Sequence, residues 1–406
     1  MRIDPAQHAW MTAPETVAVM SALVEARFVG GAVRNALLGA PVSDIDIAVP
    51  MPPSETVTRL SAAGIKTVPT GIEHGTVTAV VGRQAFEVTS LRRDVETDGR
   101  HAVIAFNDDW AEDAARRDFT INALYAGADG EIHDYATGVE DLIAGRVRFM
   151  GDAATRIAED YLRVLRLFRF HAWYGKGEVD EVALRAAAAA ADKLATLSAE
   201  RVAKEFLRLL EAWRPAPVLR VMAATRVLGA VLPGAHDLGR LERLCELDAE
   251  NMLSPDPVLR LAALLQDGDA EAVALRLKLS NADRARLTGA LADSEKIFSH
   301  LKAPQVRRLL YAQGAIAFKD RVRLAWAAAP KSQPALSWRM LLAMADAWEK
   351  PKFPLSGRDV MEAGIPEGAE VGRVLARLEA GLAGEDFATP EETLRLRLAA
   401  MVAEKT

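Results

Sequence analysis

The sequence has little of what secreted and membrane proteins contain. Its 406 residues include a single cysteine, Cys245, which excludes an internal disulfide framework and favours a reducing compartment. The first residues, 1–5, lack the apolar core of a signal peptide, and no apolar run reaches the length of a membrane span. We therefore expect a cytoplasmic protein that does not contact a membrane, and no feature of the sequence implies a protein partner.

Positive charge is not in excess either. The formal net charge is −6, so any contact with nucleic acid must come from a local basic face, since affinity follows local neutralisation of phosphates. Low-complexity sequence is confined to the short alanine run 186–191, and half of the residues are apolar, which is typical of a folded protein. The length exceeds that of one compact core, and we expect roughly two to four domains.

The pattern of apolar residues changes along the chain. The first part, to about residue 148, mixes helices with candidate strands, whereas the sequence after Gly151 is rich in Ala, Leu, Arg and Glu at helical spacing. We therefore predict an α+β fold, with a mixed α/β head followed by helical segments that divide near residues 240 and 330. The candidate strands are 28–29, 45–49, 76–81, 85–89 and 102–106.

The most informative segment contains two aspartates, Asp44 and Asp46, in an alternating run that is rich in β-branched residues. Because side chains alternate on a strand, both carboxylates are expected on one face and Ile45 and Ile47 on the other. Clustered carboxylates suit Mg²⁺, and a pair of such ions can hold the attacking and leaving oxygens of a phosphoryl transfer. A surface strand with two solvated acids is the alternative for this pattern alone.

A glycine pair precedes these aspartates. Gly30 and Gly31 end an apolar stretch and open a predicted helix over 32–38, which Gly39 closes. Without Cβ atoms, the backbone N–H groups at the pair can approach a triphosphate closely. Arg34, in the first turn of this helix, could add charge to the same site.

The glycine pair, the helix and the Asp-x-Asp strand together resemble the DNA polymerase β-type nucleotidyltransferase superfamily. The residues around them resemble the motifs of the branch that contains class II tRNA nucleotidyltransferases and bacterial poly(A) polymerases. The resemblance implies a catalytic head, a neck that binds the nucleotide base and RNA, a helical body, and a tail that contacts the tRNA elbow. These domains are predicted to span 1–148, 149–240, 241–330 and 331–406, respectively.

Two further acidic positions in the head match motifs of this family. Glu87 lies on a predicted strand that could pair beside the aspartates, so it is a candidate third catalytic carboxylate or a plain cross-strand polar residue. The segment 116–124 begins with two arginines and Asp118, and it suggests a helix with Asp118 and an arginine free on its surface. A solvated basic patch is the ordinary reading, but the family motif implies that Arg117 binds phosphate and that Asp118 contacts the ribose.

Asp160 and Arg163 are predicted to share one face of a helix, because residues three apart on a helix are neighbours. A surface ion pair at this spacing would contribute only a few tenths of a kcal/mol. However, aspartate accepts and arginine donates, which suits the Watson–Crick edges of C and A and leaves unpaired groups against U and G, at roughly 1–3 kcal/mol for each mismatch. The family motif implies this base-selecting role, with Glu159 fixing the arginine or capping the helix.

Arg166 and Arg169 continue the helical step after Arg163. They form a cationic stripe that could hold phosphates of a nucleotide or of an RNA end. In the head, the polar segment 93–102 has no periodicity and is predicted to be an exposed loop. In relatives that add the full CCA end, a flexible loop of this wording is present, and the resemblance therefore favours CCA addition.

The combined expectation is a Mg²⁺-dependent nucleotidyltransferase that adds C, C and A to the 3′ end of tRNA from CTP and ATP. Asp44 and Asp46 would hold the metal ions. Three alternatives stay open: a poly(A) polymerase, an enzyme that adds only the two cytidines, and an RNA-binding protein with an inactive head.

Overall fold

The computed structural model describes residues 1–72, 75–98, 101–234, 236–265, 270–292 and 295–403. Contacts divide them into two compact units, one ending at Gly234 and one comprising the described residues after it. The finer division into four domains stays a prediction.

The first unit contains a mixed sheet and a separate pair of strands. Seven strands form the sheet in the order β3-β4-β5-β2-β1-β8-β9, and β6 pairs with β7. Within the sheet, β2 and β5 run parallel, and every other neighbouring pair is antiparallel. The strands are β1 (Arg27–Val29), β2 (Asp46–Val49), β3 (Lys66–Gly71), β4 (Thr76–Val81), β5 (Gln84–Ser90), β6 (Arg92–Asp98), β7 (His101–Phe106), β8 (Leu124–Ala126) and β9 (Ile132–Asp134).

Twelve α-helices complete the described part of this unit. Those after β9 follow one another without a further strand, as predicted for the chain beyond the head. The helices are α1 (Ala9–Thr12), α2 (Pro14–Ala22), α3 (Gly31–Leu37), α4 (Pro53–Ala62), α5 (Trp110–Ala115), α6 (Gly138–Ala144), α7 (Ala153–Glu159), α8 (Leu162–Tyr174), α9 (Glu181–Ala189), α10 (Ala199–Leu210), α11 (Ala216–Ala224) and α12 (Val227–Val231).

The core of the head packs apolar side chains of the central strands against α5. Val29, Ala48 and Tyr125 are each at most 3% exposed and form one cluster with Trp110. The apolar side chains of β1, β2 and β8 are therefore packed in the core. Polar groups can lie at the ends of these strands. Both predicted glycine positions are confirmed: Gly30 (φ 66°) precedes α3 and Gly39 (φ 66°) follows it.

The predicted loop over 93–102 is wrong in its described part. Arg92–Asp98 and His101–Phe106 form an antiparallel two-stranded sheet with a register shift between Asp94 and Glu96. Gly99 and Arg100 lie outside the described residues. The strands of this hairpin pair with each other and not with the main sheet. Their sequence therefore lacks the alternation of apolar and polar residues from which a strand is predicted.

The helix predicted within the segment 116–124 is also wrong. Thr120–Asn122 forms one 3₁₀ turn, and β8 follows directly and pairs with both β1 and β9. Every residue from 118 to 126 is buried, so the segment has no polar face that could distinguish a helix from an internal strand. Tertiary pairing therefore decided its conformation.

The described residues of the second unit form helices and no strand, as predicted, with one isolated β-bridge between His236 and Leu265. Two of these helices flank a Gly-Pro-Gly turn, with Gly364 at φ 110° and Gly368 at φ 154°. Across the described residues, none of the helices combines the length and apolar character needed to span a bilayer. These helices are α13 (Leu238–Glu250), α14 (Pro257–Leu264), α15 (Ala270–Arg276), α16 (Asn281–Ala290), α17 (Ala303–Ala328), α18 (Ala335–Asp346), α19 (Gly357–Glu362), α20 (Ala369–Gly384) and α21 (Glu391–Ala403).

Candidate active site

Three carboxylates lie where the interior strand β2 begins. We call Asp44, Asp46 and Glu87 the carboxylate edge. Because β2 and β5 are parallel neighbours, Asp46 lies directly opposite Glu87. Ile47 and Ile45, the residue directly before β2, are buried, whereas Asp44 is exposed and Asp46 half-buried, in agreement with the predicted alternation. Asp44 precedes the strand, is exposed, and accepts a hydrogen bond from the Ser43 hydroxyl at 3.1 Å.

The charge at this edge is incompletely compensated. Burial, followed by the like charge of Glu87, raises the pKa of Asp46 to about 6, and Arg117 opposes this shift. No set of three or more His, Cys, Asp or Glu side chains in the described residues is arranged to hold a metal ion. A divalent ion here would therefore rely on two aspartates and on oxygens from its substrate. Hard carboxylate oxygens with an excess of negative charge fit such an ion.

The glycine turn lies between two guanidinium groups. A Cβ atom added at Gly30 would lie 3.8 Å from Arg117 Nη1, and one added at Gly31 would lie 3.7 Å from Arg34 Nη2. Gly30 also has a backbone conformation (φ 66°, ψ −117°) that residues with side chains rarely adopt. The turn thus brings open backbone and two cations together, which is the arrangement expected of a phosphate site.

Arg34 is more enclosed than its predicted place in a first helical turn suggested. It is 7% exposed, and burial lowers the pKa of its guanidinium. Its Nη1 donates to Asn122 Oδ1, and its Nη2 donates to the Tyr174 hydroxyl at 2.9 Å and to Asn35 Oδ1 at 3.1 Å. Helix α8 therefore contributes directly to the surroundings of this arginine.

Arg117 is fixed by groups that the sequence reading did not identify. Its Nε donates to the Tyr125 hydroxyl at 3.0 Å, and its Nη2 donates to Asp113 Oδ2 at 3.0 Å. Burial alone would lower the pKa of Arg117, but Tyr125 and Asp113 raise it above its ordinary value. Arg117 is thus a permanently charged and oriented group beside the glycine turn.

Asp118 is not free on a helix surface, and that prediction is wrong. It is 9% exposed and accepts hydrogen bonds from Phe119 N at 2.9 Å, from Asn122 Nδ2 at 2.9 Å, and from two nitrogens of Arg166, of which Nε is at 2.7 Å. Burial alone would raise the pKa of Asp118, but Arg166 and these hydrogen bonds lower it. Its acceptor positions are occupied, so a ribose hydroxyl would have to replace one of the donors.

Arg166 and Arg169 are not an open cationic stripe. Arg166 pairs with Asp118, and Arg169 Nε donates to Glu205 Oε2 at 2.5 Å. Arg166 Nη1 also lies 3.6 Å from Glu205 Oε1. We call these four residues, Asp118, Arg166, Arg169 and Glu205, the ion-pair cluster. The stripe has a partly buried inner side, on which both arginines contact carboxylates of other elements.

The prediction that Asp160 and Arg163 share one helix is wrong, because a helix break separates them. Asp160 ends α7 with extended backbone (φ −154°, ψ 106°), and α8 begins at Leu162. Asp160 Oδ1 accepts from Leu162 N at 3.1 Å, while Oδ2 accepts from Arg201 at 2.6 Å. The ion pairs formed here are thus Asp160 with Arg201 and Arg163 with Glu159.

The contact between Glu159 and Arg163 agrees with the fixing role predicted for Glu159. Arg163 Nη1 also donates to Arg156 O at 2.7 Å. Arg156 in turn donates to Glu159 at 2.6 Å and to Arg117 O at 2.8 Å. At the helix break, the acceptor Asp160 and the donor Arg163 are therefore each held by a different partner. Arg156 connects Glu159 to the backbone of Arg117, on the phosphate side of the site.

Comparisons with known proteins agree with this geometry. Residues 26–148 match the family described as the poly A polymerase head domain, and residues 178–238 match the probable RNA and SrmB-binding site of polymerase A. The chain is 35% identical to CCA tRNA nucleotidyltransferase 1, mitochondrial, of Mus musculus over 87% of this chain and 82% of that protein. It is 31% identical to the CCA-adding enzyme of Latilactobacillus sakei over 91% of this chain and 92% of that one.

A solved structure extends the agreement to the fold. The CCA-adding enzyme of Bacillus stearothermophilus, crystallised in complex with CTP, matches with a TM-score of 0.76 and 27% identity over 96% of this chain and 98% of that chain. The fold and the site thus define a nucleotidyltransferase with a polymerase-type head. More closely, the chain belongs to the tRNA nucleotidyltransferase and poly(A) polymerase family. Enzymes of this family use divalent metal ions.

Proposed function

We propose that this protein builds the CCA end of tRNA, transferring C, C and A from CTP and ATP without a nucleic-acid template. The observation that carries the proposal is the carboxylate edge beside a glycine turn with two cations, in a chain similar over most of its length to CCA-adding enzymes. Each transfer joins the 3′-hydroxyl oxygen of the RNA to the α-phosphorus of the nucleotide and releases pyrophosphate.

Asp44 and Asp46 are the proposed ligands of Mg²⁺, which when bound would stabilise the attacking and leaving oxygens. Glu87 contributes charge opposite Asp46 and is the proposed third catalytic carboxylate. The raised pKa of Asp46 supports this assignment, because a carboxylate that burial and like charge disfavour gains most from a bound cation.

Gly30, Gly31, Arg34 and Arg117 are proposed to bind the triphosphate. The backbone of the glycine turn can approach the phosphate oxygens, and the flanking guanidinium groups supply charge that is already oriented. Asp118 is proposed to select the sugar by exchanging one of its present donors for a ribose hydroxyl.

Asp160 and Arg163 are proposed to select the base. Their partners Arg201 and Glu159 each hold one of the two side chains, and an acceptor and a donor that both reach the base edge would fit C and A and oppose U and G. Arg166 and Arg169 are proposed to act on the nucleotide from the same helix. The tail is proposed to contact the tRNA elbow, and a cytoplasmic location stays a prediction.

The test is extension of tRNAs that end before, within and after CCA, with CTP, ATP or both, resolved on a sequencing gel. Stepwise addition of C, C and A followed by arrest is the expected result, and it should disappear with EDTA and return with Mg²⁺. Long A tracts on any RNA would instead indicate a poly(A) polymerase. Arrest after two cytidines would indicate a CC-adding enzyme, and no extension would favour the RNA-binding reading.

A further inference from the structure

Among the described residues, every hydrogen-bond partner of the buried Arg34 guanidinium is neutral. The acceptors of its guanidinium are Asn122, Asn35 and the Tyr174 hydroxyl. Arg117 and Arg166 differ in this respect, because each of them contacts a carboxylate directly. A buried arginine without such a contact keeps its attraction for an anion, and its Nη2 already lies beside the glycine turn.

Tyr174 contacts this guanidinium in two ways. The Arg34 Cζ atom lies 4.2 Å from the centre of the Tyr174 ring, which is a cation–π distance. The phenol oxygen also accepts from Arg34 Nη2 at 2.9 Å. Phe170, one helical turn earlier on α8, lies 5.3 Å from the same Cζ atom. The last turn of α8 therefore restrains a side chain of α3.

We propose that Tyr174 is a positioning residue, which holds the Arg34 guanidinium beside the glycine turn so that it meets the triphosphate of the incoming nucleotide. The proposal deepens the proposed function and rests on it, since it takes a nucleoside triphosphate as the ligand. Arginine has many rotamers, and a site that fixes its side chain in advance loses less entropy when the anion binds. A neutral partner achieves this without cancelling the charge, as a carboxylate would.

The chain offers a matched pair of substitutions. Tyr174→Phe keeps the ring and its volume but removes the hydrogen bond from Arg34 and a longer one, at 3.4 Å, to Asn35 Oδ1. Trp173→Phe alters the neighbouring aromatic residue, which is exposed, donates from Nε1 to Arg208 O at 2.7 Å, and lies against Arg208 and the Tyr174 ring. Both changes keep an aromatic ring at the end of α8 and remove its polar contacts, but of the two side chains only Tyr174 contacts Arg34.

The first readout is the affinity for inorganic tripolyphosphate, measured by calorimetry on the full chain, beside the kinetics of CTP and ATP addition. We expect Tyr174→Phe to weaken tripolyphosphate binding by about fivefold to tenfold, which is less than the full contribution of one hydrogen bond to a charged group because the aromatic ring keeps its cation–π contact with Arg34. The KM values for CTP and ATP should rise by the same factor while kcat changes less than about twofold. Trp173→Phe should leave all three quantities unchanged.

A double-variant cycle tests whether Tyr174 acts through Arg34. In an Arg34→Met background, Tyr174→Phe should have no further effect on tripolyphosphate affinity. Effects that multiply, or equal effects of the Tyr174 and Trp173 changes, would overturn the proposal and indicate plain packing. A wild-type protein that binds tripolyphosphate through Tyr174 but extends no tRNA would refute the proposed function and leave the positioning role standing.

Discussion

The carboxylate edge and the ion-pair cluster lie in the same compact unit, yet their charges are arranged in opposite ways. At the carboxylate edge, Asp46 faces Glu87 and its pKa is raised to about 6 by burial and by that like charge. In the ion-pair cluster, Asp118 is more enclosed, but Arg166 and two amide donors lower its pKa. Burial has the same sign of effect on both aspartates, so the partners make the difference.

The contrast shows which buried carboxylate needs a bound cation for its charge to be compensated. A buried carboxylate that its own chain stabilises orients the arginine with which it pairs, and a ligand reaches it only by replacing one of its donors. A carboxylate that its own chain destabilises is favourable only when a cation arrives. The first kind connects the head to α8, and the second kind marks the place of chemistry.

The largest expected effect is on catalysis at the carboxylate edge. Asp46→Asn should reduce the rate of both C and A addition by about 10³-fold or more, because the proposed metal loses a charged ligand and each factor of ten costs only about 1.4 kcal/mol of transition-state stabilisation. Single-turnover extension at saturating nucleotide measures this rate. Asp129→Asn, at an exposed aspartate that pairs with Arg2, is the control. A mutant within tenfold of wild type would contradict the metal assignment.

The second effect is on folding stability at the ion-pair cluster. Asp118→Asn should lower the free energy of unfolding by about 2–4 kcal/mol, because it removes the buried carboxylate that Arg166 contacts most closely and leaves only Glu205, at 3.6 Å. Urea unfolding followed by circular dichroism measures the change. If Arg166 is replaced by methionine first, the same substitution should cost much less. An unchanged urea midpoint in the single variant would mean that the pair does not stabilise the fold.

The third effect reverses the sign of the second. In EDTA at pH 7.5, Asp46→Asn should raise the free energy of unfolding by about 1–3 kcal/mol, since a pKa raised from 3.8 to about 6 means that the folded state disfavours the carboxylate. The gain should shrink as the pH falls through 6 and vanish near pH 4, where Asp46 is protonated in the folded and increasingly in the unfolded chain. Thermal unfolding across this pH range provides the measurement. A loss of stability at pH 7.5 would show that Asp46 is already compensated.

The two regions also differ in how well the sequence predicts them. Asp44, Asp46 and the glycine pair could be located because alternation and turn chemistry act over a few neighbouring residues. Glu87 required only the assumption that its strand lies beside β2, and the parallel register confirms it.

The ion-pair cluster and the helix break depend on contacts between distant residues. Arg166 meets an aspartate 48 positions earlier, Arg169 meets Glu205 36 positions later, and Asp160 meets Arg201 41 positions later. The spacing of Asp160 and Arg163 suggests that they pair on one helix. It does not reveal the distant Arg201 with which Asp160 pairs instead. Glu205 and Arg201 both lie on α10, so this one distant helix supplies partners to both regions.

The smallest effect sharpens the comparison at the helix break, where the partners are half-exposed. Asp160→Ala should reduce discrimination against UTP and GTP by about tenfold, since it removes one acceptor of the proposed base-reading pair. Arg201→Met should reduce it by only about threefold, because Asp160 keeps its bond from Leu162 N and an ion pair at this exposure contributes less than about 1 kcal/mol. Competition between correct and incorrect nucleotides on one tRNA measures the discrimination of both variants. The Mg²⁺ concentration that restores activity after EDTA treatment should be the same in each variant as in the wild type. If Arg201→Met relaxed base choice as far as Asp160→Ala, the orientation of Asp160 would depend on its ion pair, and this part of the site would belong with the ion-pair cluster.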